Sequence, residues 1–122
     1  MVFVLNVQCA IMFLLKPGNY YHGFELPLFP GREVVRGFGI LFLMWNVPYG
    51  IAFLNPIRFH ISTWEAVFMQ AIGFFGEIGI YFSSTDTRVI HYTIGRFIVF
   101  DGVGLILLIA ALAMSRRIIL ED

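Results

Sequence analysis

Two carboxylates, Glu77 and Asp101, stand inside long runs of apolar residues. An acid in hydrocarbon is costly, so it is held there by a partner or by a task. Two kinds of chemistry are open to such a pair. One is proton exchange or ligand binding in a hydrated cavity. The other is neutralisation by basic and amide groups that locks helices in register. Arg36, Arg96 and Gln8 fall at comparable depth and are the candidate partners in one intramembrane polar cluster. Asn46 and Gln70 form a second depth-matched pair, suited to an interhelical hydrogen bond.

Other reactive groups carry less. His22, His60 and His91 are candidate ligands for a peripheral pigment of the chlorophyll type, but none lies in the middle of a span and His60 falls on the opposite surface. That separation argues against a bis-histidine haem within the chain. No His, Cys, Asp or Glu cluster has metal-ligand spacing, and no Ser–His–Asp or Cys–His arrangement stands out, so no catalytic residue is assigned. Gly73, Gly76 and Gly79 lie within a spanning helix and not after a strand, which is the wrong setting for a phosphate-binding loop. The formal charge is zero and no basic patch is evident, against nucleic-acid binding. Cys9 is the single cysteine, so an internal disulfide is excluded.

The elements that must position these groups are helices in a membrane. Of 122 residues, 59% are hydrophobic and only 13% charged, with a mean hydropathy of +0.83, far from the composition of a soluble domain. The apolar residues gather into spans at about 2–16, 37–54, 63–82 and 94–115. The last three approach the roughly 20 residues that cross about 30 Å of hydrocarbon. The first is shorter and reads as a tilted helix or one that thins the bilayer. It has no basic residue ahead of it and no small-residue cleavage site after it, which argues against a removable signal. The expected fold is an all-α, integral membrane four-helix bundle in a single domain, 1–122, with a short first helix and a second helix kinked at Pro48.

Punctuation supports helices. Lys16-Pro17-Gly18 closes the first and Asn55-Pro56 the second, while Ser62 and Glu65 have the spacing of a capping box for the third. Ser83-Ser84-Thr85-Asp86 offers a start for the fourth near Thr87, running to Arg117. Residues 17–36 are expected to form a longer interfacial loop, with Tyr20, Tyr21, Phe24 and Phe29 in the headgroup zone. Counting Lys16, Arg32, Arg36, Arg88 and Arg96 against Arg58, Arg116 and Arg117 places the first and third loops in the cytoplasm.

Helical spacing sets the inner faces. Ala66, Gln70, Gly73, Glu77 and Tyr81 share one face of the third helix, as do Gly39, Leu43, Asn46 and Gly50 on the second. On the fourth, Phe97, Asp101, Gly104, Leu108, Ala111 and Ser115 recur in the same way. Small residues let helix backbones approach. Counted from the span ends, Glu77 and Asp101 lie roughly 8 and 10 Å below one membrane surface at about 1.5 Å per residue, close enough to meet.

Arg36-Gly37-Phe38-Gly39, opening the second of four short spans after a proline-containing loop, resembles the DoxX-like small membrane proteins, and the four-helix layout is similar across the whole chain. That resemblance implies a small helical membrane protein of the kind that accompanies redox systems; it assigns no functional residue. The expected function is non-catalytic: an accessory or scaffolding subunit of a larger membrane complex, with photosynthetic and respiratory complexes as hosts. The alternative is a small carrier of protons or a small molecule that uses the Glu77/Asp101 pair. The expected surroundings are a multi-pass location in a bacterial inner membrane, with lipids and other membrane subunits as partners. No cofactor is intrinsic; contact with a chlorophyll-type pigment, carotenoid, quinone or lipid would be peripheral.

Overall fold

In a computed structural model, residues 1–83 and 88–121 are described, with side chains to residue 116. Ser84, Thr85, Asp86 and Thr87, proposed as the start of the fourth helix, and the Arg117 side chain lie outside the described residues. The described residues form four helices, α1 (Val2–Leu15), α2 (Leu28–Leu54), α3 (His60–Ser83) and α4 (Arg88–Glu121), with two short 3-10 turns, Pro17–Asn19 and Tyr21–Phe24, between the first two. It is an all-α bundle. α2, α3 and α4 are long and apolar enough to cross a membrane, while α1 is a shorter apolar helix.

Sequence chemistry accounts for the helix ends. The Lys16 N–H closes α1 by donating to the Met12 carbonyl at 2.8 Å, and Pro17 then opens a tighter turn. Between α2 and α3, Asn55 caps the turn at 56–59: its Oδ1 accepts from the N–H groups of Ile57 and Arg58 at 3.1 and 2.9 Å. α3 begins at His60, so Ser62 and Glu65 fall inside the helix and not at its cap. Thr63 reinforces the same turn by donating to the Phe59 carbonyl at 3.3 Å.

The second helix differs from the sequence reading. α2 begins at Leu28, so the loop is shorter than 17–36, and its departure from helical torsions is at Phe29; the helix continues through Pro48. The remaining loop folds onto the bundle. Tyr20 and Phe24 pack on Phe13 at ring-centroid distances of 4.9 and 6.1 Å, and Phe24 also meets Phe38 and Phe97. Thr93 ties the turn to α4 by donating to the Gly23 carbonyl at 2.7 Å. Phe29, by contrast, is exposed.

α1 packs on α2, α2 on α3, and α3 on α4. Glycine sets the first contact: a Cβ on Gly39 would lie 2.9 Å from the Ala10 carbonyl oxygen, and one on Gly50 would lie 3.1 Å from Phe3. Val2, Tyr49 and Ala66 form the centre where α1, α2 and α3 converge. Between α1 and α4 the bundle is more open, and two cavities of about 710 and 420 Å³ lie along that seam.

Candidate functional site

The polar centre of the bundle is built on Gln70. α3 carries it near the middle of its length, buried to 3% exposure, with Ala66 and Val67 beside it. Both ends of its amide are used. Tyr49 on α2 donates its hydroxyl to Gln70 Oε1 at 2.6 Å. Gln70 Nε2 donates to Asp101 on α4, to Oδ1 at 2.9 Å and to the backbone carbonyl at 3.3 Å. Three helices are thus joined through one side chain.

Two glycines make room for that junction. A Cβ on Gly73 would come within 2.5 Å of Asp101 Oδ2, and one on Gly104 would lie 2.6 Å from Gln70 Nε2. Both glycines allow α3 and α4 to approach at the level where their polar groups meet. In lipid, where no water competes, small residues and side-chain amides are what hold helices together.

α4 begins at Arg88, ahead of the apolar span at 94, and Asp101 lies roughly 20 Å along the helix at about 1.5 Å per residue. It meets Gln70 and Gly73, near mid-span. Glu77, one turn beyond Gly73, is nearer the end of α3, still within electrostatic reach of Asp101. It stands outside the Gln70 junction. Its Oε2 is buried and accepts no hydrogen bond among the described residues.

The other candidates are dispersed. Arg36 pairs with Glu33 at 2.8 Å on the exposed side of α2, an i,i+3 pair made available because the helix begins before both residues. It does not reach an intramembrane acid. Arg96 is exposed on α4 and packs over the Tyr92 ring at 5.8 Å, and among the described residues no ion pair joins it to Glu77. Gln8 is exposed; two residues earlier, Asn6 is the α1 amide that turns inward, at 7% exposure. Asn46 is buried but does not bond Gln70. Its Nδ2 donates to the Phe42 carbonyl one turn back at 2.6 Å, and Gln70 is already taken by Tyr49 and Asp101. Asn46 Oδ1, like Glu77 Oε2, has no donor among the described residues.

The histidines are also apart. His22 stacks near Tyr21, exposed His60 opens α3, and His91 meets the Tyr81 ring edge-on at 4.9 Å. Among the described residues no three His, Cys, Asp or Glu side chains come together as a metal site. Tyr49 is the member of the polar centre that spacing on α2 missed. It follows Asn46 by three residues, on the same face, which was the available signal.

No protein-family model, curated protein or solved structure matches the chain. The class is defined by the fold: a small helical protein with the span lengths and apolar surface of a membrane protein.

Proposed function

We propose that this chain is a non-catalytic accessory subunit that packs against a larger membrane protein through the outer face of α3. The observation that carries this reading is the pattern on that face. Ile61, Phe68, Phe75 and Phe82 recur every seven residues, each at least 60% exposed. Between them lie Gly76 and Gly79, where an added Cβ would meet nothing within 4 Å.

Lipid accounts for exposed phenylalanines but gives no reason for glycines. Glycine costs a helix about 1 kcal/mol relative to alanine, and in membranes it is enriched where another helix comes close. Ridges of Phe beside hollows of Gly are the relief that a helix partner fits. Gln70 at the polar centre uses its whole amide within the bundle.

Affinity purification from native membranes in mild detergent tests this. Recovery in fixed stoichiometry with other membrane polypeptides is expected; a stable monomer or homodimer would overturn it. A carrier reading draws on one observation of its own, the buried Glu77 Oε2 without a donor, which a transported proton or cation would engage. Dye-reported proton flux in reconstituted vesicles, lost on Glu77→Gln while the bundle stays folded, would favour the carrier over the subunit.

A further inference from the structure

We propose that the cleft between α1 and α4 binds an anionic membrane phospholipid, with its phosphate held by Arg96. Arg96 lines both cavities of the seam, the larger of about 710 Å³ and the smaller of about 420 Å³. The larger has a polar end and an apolar end. Tyr92 and Arg96 stand toward the Arg88 end of α4, and Val99, Phe100 and Val103 continue deeper, with Leu5 of α1 opposite. A phospholipid has the same order along the membrane normal.

Charge points to the sign of the headgroup. Arg96 has no acid within ion-pair distance among the described residues, and its guanidinium lies over the Tyr92 ring. From Arg88 to Arg96 the helix rises roughly 12 Å at about 1.5 Å per residue. A cation at that position in a spanning helix calls for an anion beside it. The guanidinium fork matches two phosphate oxygens at once, and the long stem lets the charge reach toward the headgroup layer.

The walls favour a lipid over a soluble anion. Tyr92, Val99 and Val103 are exposed, so the cleft opens outward along the helices, where acyl chains lie. Asn6 and Cys9 of α1 line the smaller cavity beside Arg96 and add polar contacts for a headgroup.

The test uses the whole chain in nanodiscs containing phosphatidylcholine and phosphatidylglycerol with matched acyl chains, followed by native mass spectrometry of retained lipid. Wild type is expected to retain phosphatidylglycerol about tenfold over phosphatidylcholine, the scale of a hydrogen-bonded charge pair. Arg96→Gln should abolish the preference, Arg96→Lys should keep part of it, and Arg58→Gln should leave it unchanged. Equal retention of the two lipids by wild type would overturn the proposal, as would an undiminished preference in Arg96→Gln. If Arg96→Gln does not yield helical protein, the wild-type comparison and Arg96→Lys decide. Displacement of the lipid by inorganic phosphate would also overturn it, reassigning the cleft to a soluble anion.

Discussion

Gly73 and Asp101 face each other so closely that a single added carbon on Gly73 would lie 2.5 Å from Asp101 Oδ2. One turn away on the same helix, Gln70 donates to the other oxygen of that carboxylate at 2.9 Å. α3 therefore meets Asp101 with an amide on one side and bare backbone on the other. The contact fixes both the spacing of α3 and α4 and their register.

Gly73→Ala and Gly104→Ala should each destabilise the bundle by about 1–3 kcal/mol, because the new methyl group forces Asp101 or Gln70 from its place. Gly76→Ala should be neutral or slightly stabilising, since its position is open within the chain and alanine is the better helix former. Thermal unfolding in mild detergent followed by circular dichroism compares the three. Similar losses at positions 73 and 76 would contradict the close α3–α4 contact.

Gln70→Leu leaves the Tyr49 hydroxyl and Asp101 without their partner. The expected loss is about 1–3 kcal/mol, tempered by the modest worth of hydrogen bonds between membrane helices. Tyr49→Phe removes one bond and should cost less. A double-mutant cycle in denaturant titration should show the two changes to be coupled, and simple additivity would contradict the Tyr49–Gln70 bond.

Asp101→Asn retains an oxygen that can accept from Gln70, so assembly should survive, with stability changed by less than about 1 kcal/mol. Asp101→Leu removes that acceptor and should cost more. Glu77→Gln should leave unfolding unchanged, because the buried oxygen of Glu77 makes no hydrogen bond among the described residues. Loss of the folded bundle on Glu77→Gln would place Glu77 in the structural core after all.

The helices were legible because apolar run length and Pro/Gly punctuation report directly on spans. The inner face of α3 was legible too, since helical period alone groups Ala66, Gln70, Gly73 and Glu77. The start of the fourth helix near Thr87 was legible as well, within one residue of the first described residue of α4, Arg88. Pairing was harder. Asn46 and Tyr49 share a face, and which of them reaches Gln70 depends on side-chain length and helix placement that spacing does not encode. On α1, Gln8 and Asn6 are only two positions apart, yet that rotates them to opposite sides of the helix, so the inward amide was the other one. Arg36 found Glu33 because a helix extending back through both makes them neighbours.

Site-specific photocrosslinking in native membranes tests the docking face of α3 most directly. A photoreactive residue at Phe75 is expected to give a discrete adduct with a different membrane polypeptide, while the same residue at Ile106, exposed on α4, gives lipid adducts. The Phe75 adduct should vanish when Gly76 is enlarged to Ile in a protein that still folds. Lipid adducts alone from position 75, or an adduct only with a second copy of this chain, would contradict the accessory-subunit account.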